Sequence, residues 1–374
     1  MGQSLWSCVR YAPTAPLILL RRADGYAALA HAVIWTYAFL TMIVVCVHSR
    51  TMQHRPRAVI AIAVAVVAVA VVAVGGLWAC AQPSGGHAGG ERVRVVAGFY
   101  PLQFVAEQVG GDRVSVTNLA PPGAEPHDME LSPRQVAEIA DSDLVVYISG
   151  FQPALDEAVK QEAADSSFDA ATAVALIDAT AGQGHEEDAG ATPEPTPASA
   201  ERGKDPHLWL DPTRLVKVAD ALAERFAAVD PAGAAGYREH AASLRGGLEQ
   251  LDDEYARALE TCQRREIVVS HAAFGYLADR YRLDQIAISG LSPEVEPTPQ
   301  RLAEVATEAR AHGATTIFFE TLVSPRVAQA IAAEVGAKTA VLDPIEGLQP
   351  GSAGDYLSVM RANLATLRPA LGCA

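Results

Sequence analysis

DPAGAAGYREHAASLRGGLEQLDDEYARALE, residues 230–260, decides the architecture. Asp230-Pro231 opens a helix, and nothing up to Glu260 interrupts it except Gly246-Gly247. A helix of about 30 residues spans roughly 45 Å, long enough to run along two packed lobes and join them. Four β-rich runs precede it, at 93–97 (VRVVA), 114–119 (VSVTNL), 144–149 (LVVYIS) and 174–178 (VALID), with helices predicted over 101–110, 133–141, 152–163 and from Asp211-Pro212 to about 228. Four more follow, at 266–269, 284–288, 315–319 and 338–342, interleaved with helices over 272–281, 299–311, 325–335 and 353–370. Strands alternating with helices imply parallel sheets covered by helices. The expected fold is therefore α/β, with two lobes, each a four-stranded parallel sheet flanked by helices: an N-terminal lobe (93–229), a linking helix (230–262) and a C-terminal lobe (263–374).

Four motifs fall where these strands end. They are EPHDME (125–130), KDPHLWLDP (204–212), VVSHAAF (268–274) and VLDPIEG (341–347). His127 follows the second strand, His207 the fourth, His271 the fifth and Asp343 the eighth, so all four sit at carboxyl ends, where open α/β sheets bind ligands. Two come from each lobe, which places a shared site in the cleft between lobes. Three imidazoles and one carboxylate suit a tetrahedral zinc ion. Glu125, Asp128, Glu130, Asp205 and Glu320 are candidate acceptors that would orient these imidazoles, each equally readable as a surface or capping residue; Glu125, Asp205 and Glu320 are carried forward. Asp211 reads as the N-cap of the following helix and Trp209 as packing beneath the site. His87, His240 and His312 share none of these settings.

Composition limits the partners and locates the compartment. Formal net charge is −15; six of the 29 basic residues and one of the 44 acids lie in the first 79 positions, leaving 23 against 43, a balance of −20. Such a chain is not a nucleic-acid binder. His54-Arg55-Pro56-Arg57 and the apolar run 58–79 read as a signal peptide spanning 52–79, initiated at Met52, with 1–51 a doubtful extension that has its own apolar run from Tyr26 to Val47. LWAC (77–80) resembles a lipobox that would lipidate Cys80, although Trp78 is bulky for it; an uncleaved membrane anchor is the alternative. Residues 80–92 form a tether. Of five cysteines, only Cys262 and Cys373 would remain inside the exported domain, and they are expected to pair. Residues 181–204, rich in Gly, Pro and Ala with a HEED cluster (185–188), read as a mobile surface loop.

The segments GFYPLQFVAEQVGGDRVSV, GAEPHDMELSP, DPHLWLDP, SHAAFGYLADRY, GLSPEVEPTP and LDPIEGL resemble the solute-binding proteins of bacterial zinc and manganese ABC transporters, the cluster A-I or cluster 9 family, over about residues 93–371. The resemblance implies two lobes joined by a rigid helix, with metal carried by His127, His207, His271 and Asp343, the last position being left to water in some members. Manganese-type members place a carboxylate where His271 stands, which identifies the zinc-type subgroup, in agreement with the preference of imidazole for zinc over manganese. The implied role is a monomeric, non-catalytic receptor outside the cytoplasmic membrane that delivers Zn²⁺ to a permease. No G-x-x-x-x-G-K-[ST] occurs, so ATP hydrolysis falls to a separate subunit. The competing readings are a manganese-binding member, an adhesin or metallochaperone on the same fold, and a zinc hydrolase with Glu125 or Glu320 as base; no H-E-x-x-H supports the last.

Overall fold

The computed structural model describes residues 92–179 and 203–374. The leader expected at 52–79, Cys80, most of the tether expected at 80–92 and nearly all of the loop expected at 181–204 lie outside them. The N-terminal lobe runs β1 (Val93–Ala97), α1 (Tyr100–Gly110), β2 (Val114–Asn118), α2 (Pro133–Asp141), β3 (Leu144–Tyr147), α3 (Pro153–Glu162), β4 (Ser167–Asp169) and α4 (Pro212–Val229). The linking helix is α5 (Ala234–Ala258). The C-terminal lobe follows with β5 (Glu266–Val269), α6 (Gly275–Tyr281), β6 (Asp284–Ala287), α7 (Pro299–Ala311), β7 (Thr316–Phe319), α8 (Arg326–Val335), β8 (Lys338–Val341) and α9 (Tyr356–Leu371).

Both sheets are parallel and four-stranded, ordered β2-β1-β3-β4 and β6-β5-β7-β8, so each has the same permuted order. The inner strands are apolar because helices cover both faces. Val93, Val95, Val96 and Ala97 of β1 and Ile267, Val268 and Val269 of β5 are buried. The edge strand β8 instead exposes Lys338, Thr339 and Val341.

The fourth strand corrects the sequence reading. It is Ser167–Asp169, paired with β3 through Val145↔Ser167, Val146↔Phe168 and Tyr147↔Asp169, and 174–178 is not in the sheet. The turn after α3 is short enough for SFD to reach the open edge first. A 3-10 turn (Ala170–Ala173), capped by the Asp169 side chain accepting from Ala171 N, then carries the chain away. Residues 174–178 run to the other lobe, where the Ile177 N–H donates to Tyr276 Oη of α6 at 3.2 Å.

The linking helix is about 37 Å long. Its entrance is held to the N-terminal lobe by buried Asp230, which accepts from Arg113 Nε and Tyr237 Oη, both at 2.8 Å. Further along, Tyr255 Oη donates to the Met360 carbonyl of α9 at 2.6 Å. One continuous apolar core holds Val95 and Val146 of one sheet, Leu244, Leu248 and Leu251 of the helix, and Ile267 and Val269 of the other sheet. Cys262 and Cys373 are joined by a disulfide, which ties the chain end to the exit of the linking helix.

Candidate metal centre

Each histidine is presented by a loop whose local chemistry leaves little freedom. After β2, Asn118 Oδ1 accepts from Ala120 N at 3.0 Å and turns the chain. Buried Gln152 then donates through Nε2 to the carbonyls of Gly98 and Pro126, each at 3.2 Å, fixing the residue before His127. Gly98 leaves room for this side chain, since a Cβ there would stand 2.6 Å from Gln152 Oε1 and displace it. His207 lies immediately before a 3-10 turn (Leu208–Leu210) that feeds α4, where the Asp211 carboxylate caps Thr213 N at 2.8 Å as its sequence setting indicated. Trp209 packs beneath, edge-on to Phe99 and Phe151, and its Nε1–H donates to the Pro344 carbonyl at 2.7 Å across the cleft. Tyr356 Oη of the opposite lobe donates to the Trp209 carbonyl at 2.6 Å.

The structure brings His127, His207 and His271 together as the sequence proposed, but the carboxylate that joins them is Glu346. One ligand atom from each of these four lies within 4.8 Å of the others. His127 Nε2 and His207 Nε2 are 3.3 Å apart, and Glu346 Oε1 is 3.1 Å from His271 Nε2 and 3.4 Å from His207 Nε2. A tetrahedral zinc with ligand bonds near 2.0 Å separates its donor atoms by about 3.3 Å, so these spacings fit. All four residues are buried, none more than 6% exposed.

Asp343 is the correction. Its Oδ1 accepts from Ile345 N at 2.7 Å and its Oδ2 from Thr321 Oγ1 at 2.9 Å, while Asn363 clasps its backbone N–H and carbonyl at 2.9 and 2.7 Å. A carboxylate spent on a tight Asx turn cannot also face the cluster. The turn forces Ile345 to φ +60°, a conformation that β-branched residues avoid, and the chain leaving it delivers Glu346 into the site. The signal for Glu346 was present in LDPIEGL, three residues beyond Asp343.

All three acids proposed as supports contact a ring nitrogen. The Glu125 carboxylate meets His127 Nδ1 and also accepts from His127 N at 3.1 Å. Asp205 Oδ1 is 2.7 Å from His207 Nδ1 and accepts from His207 N at 2.9 Å. Glu320 Oε1 is 2.9 Å from His271 Nδ1. That last pairing follows from strand register. In the parallel β5–β7 pair Val268 faces Ile317, so three residues on His271 faces Glu320. Binding Nδ1 fixes the tautomer and leaves Nε2 as the outward donor. Gly275 lets Asp205 approach α6, because a Cβ there would lie 2.5 Å from Asp205 Oδ2. Asp128 and Glu130 are exposed and take no part. His240 and His312 also stand apart, against the Val109 carbonyl (3.1 Å) and Glu266 (3.0 Å) respectively.

Four carboxylates thus surround three imidazoles in a buried volume. Burial works against a proton on His271, yet Glu346 and Glu320 outweigh it and push its pKa up to about 10. The same balance raises His207, with burial opposed by Asp205 and Glu346. Glu346 is held well below the usual carboxylate range, because the neighbouring imidazoles of His271, His207 and His127 overcome the burial that would raise it. Burial raises Glu320 and Asp343. Concentrated, desolvated negative charge of this kind is stable only with cations to match it.

Two parallel-sheet lobes closed on a buried three-histidine, one-carboxylate cluster define a two-lobed solute-binding protein with a metal site. The profile of the family described as "Zinc-uptake complex component A periplasmic" matches residues 95–370, and the chain belongs to that family. The zinc-binding protein AdcA of Streptococcus pyogenes is 34% identical over 286 residues, 74% of this chain and 56% of the relative. This chain thus spans little more than half the length of those streptococcal relatives. The high-affinity zinc uptake system protein ZnuA of Bacillus subtilis is 32% identical over 75% of this chain and 88% of its own length. Among solved structures, the Zn(II)-bound ZnuA-like domain of Streptococcus pneumoniae AdcA is 31% identical with a TM-score of 0.62, covering 75% of this chain and 99% of that one. The laminin binding protein of Streptococcus agalactiae, described as a bifunctional protein with adhesin and metal transporting activity, gives a TM-score of 0.65 at 31% identity, covering 75% of this chain and all of that one.

Proposed function

We propose that the chain is the extracytoplasmic receptor of a zinc importer, with Zn²⁺ as cargo held by His127, His207, His271 and Glu346. The observation that carries the reading is the buried cluster itself, whose donor spacing suits tetrahedral zinc and whose rings are each anchored through Nδ1 by Glu125, Asp205 or Glu320. Three imidazoles favour zinc over manganese, which prefers oxygen-rich shells. Four protein donors leave no coordination position for a reacting water, which argues for a carrier rather than a hydrolase. The receptor acts as a monomer that hands zinc to a membrane permease driven by a separate ATPase subunit. After removal of a leader at 52–79 it is tethered through lipidated Cys80.

Elemental analysis of the purified protein with chelator-competition titration tests this. One tightly held zinc per chain is expected, lost on His207→Ala with the fold retained by circular dichroism. A wild-type chain without saturable zinc uptake, or a His207→Ala chain with undiminished affinity, would remove the reading.

A further inference from the structure

We infer that a second, all-oxygen subsite for a hydrated divalent cation adjoins the cluster, in a 370 Å³ cavity of the C-terminal lobe lined in part by Ser270, Ser289, Glu294, Glu296 and Glu320. The inference rests on the reading of the cluster as a zinc site and adds to it a place where the ion waits before its waters are exchanged for imidazoles.

Glu320 connects the two places. Its Oε1 holds His271 Nδ1 at 2.9 Å, while Oε2 has no hydrogen-bond partner among the described residues, although the side chain is only 3% exposed. A buried carboxylate oxygen without a partner is costly and calls for one. The rim is built to supply charge at the same spot. Pro293 and Pro297 bracket Glu294-Val295-Glu296, stiffening a short segment in which both glutamates line the cavity and Val295 between them turns out, 63% exposed. The polar lining named here is three carboxylates and two hydroxyls, with neither imidazole nor thiolate. Such a set suits a hard cation that keeps part of its water, in contrast to the imidazole-rich cluster one side chain away.

The test uses the full chain with its tight site filled by one zinc, and Mn²⁺ as the probe, counted by electron paramagnetic resonance. Mn²⁺ lies far below zinc in affinity for nitrogen-rich sites and will not displace it. The wild type should take up one more Mn²⁺ than Glu294→Gln/Glu296→Gln, with tight zinc stoichiometry equal in both chains. Stopped-flow zinc association with the metal-free chain should also slow in the double variant by roughly 3- to 10-fold at low salt, as expected when two steering charges are removed. Both glutamates are exposed, and retained tight zinc reports that the variant is folded. Equal Mn²⁺ uptake by the two chains, each holding one tight zinc, overturns the cavity site alone. A wild type that holds no tight zinc overturns the zinc reading of the cluster and this inference with it.

Discussion

Glu346→Gln separates the cluster from every neighbouring carboxylate. The replacement keeps size and shape, so packing is preserved and only a charge and an acceptor are lost. In the folded chain this carboxylate is 1% exposed and lies 3.1 Å from His271 Nε2 and 3.4 Å from His207 Nε2. Removing one partner of a buried ion pair costs about 3–5 kcal/mol. At 1.36 kcal/mol per decade, zinc affinity should fall by roughly 10²- to 10³·⁵-fold. Asp343→Asn is the control. An asparagine oxygen can still accept from Ile345 N, so the turn survives and only the bond from Thr321 Oγ1 is put at risk. One such bond is worth about 1 kcal/mol, which limits the loss of zinc affinity to roughly fivefold. Competition against a fluorescent chelator at fixed pH, with metal content measured in parallel, reads both numbers. If Glu346→Gln stays within about threefold of wild type, or Asp343→Asn is the more damaging change, the assignment of Glu346 over Asp343 is wrong.

Zinc binding should release protons, because His271 and His207 both carry raised pKa values, His271 up to about 10, and zinc takes only the unprotonated ring. Apparent affinity should then climb about tenfold or more per pH unit between pH 6.5 and 9, and a flat profile would refute the charge state described. In the metal-free chain, His271 contributes stability that is complete below its unfolded value near 6.5 and lost as pH rises through about 10. The depressed Glu346 contributes stability present above its unfolded value near 4.5 and lost in acid. Melting temperature should therefore peak between these two unfolded values; a maximum near pH 9 would contradict the sign for His271, and one below pH 4 the sign for Glu346. Asp205→Asn should weaken zinc binding about 10- to 100-fold by loosening the His207 ring, and an unchanged affinity would reduce Asp205 to a loop anchor. Reducing Cys262–Cys373 opens a link across 111 residues, which chain entropy values at roughly 5 kcal/mol and which should lower the melting temperature by about 10 °C. Zinc stoichiometry should be unaffected, since neither sulfur belongs to the cluster.

The fold was legible where burial dictated the residues. Parallel strands covered on both faces must be apolar along their length, and VRVVA and LVVY announce themselves for that reason. Ser167–Asp169 does not, because an edge strand of three half-buried residues needs no apolar run, and VALID outscored it while belonging to a crossing between lobes. The helix entrances were equally plain. Asp211 caps its helix through a contact two residues on, a distance over which sequence and structure carry the same information.

The same distinction sorts the site. Glu125-Pro126-His127 and Asp205-Pro206-His207 place each acid two residues before its imidazole, so the pairing is local and could be read directly. Asp343 misled because its motif has the same look, an acid before proline, while its carboxylate folds back on Ile345 instead of reaching forward. Choosing between Asp343 and Glu346 requires knowing that the turn takes Ile345 through φ +60°, and no residue type advertises that at an isoleucine. Glu320 and His271 are 49 residues apart, yet their contact follows from one topological fact, that β7 lies beside β5. Given that neighbour relation and Val268↔Ile317, counting three residues along each strand puts the two side chains face to face. Strand order is therefore the missing variable: neither composition nor periodicity contains it, and once it is supplied the support for the third histidine becomes as readable as the first two.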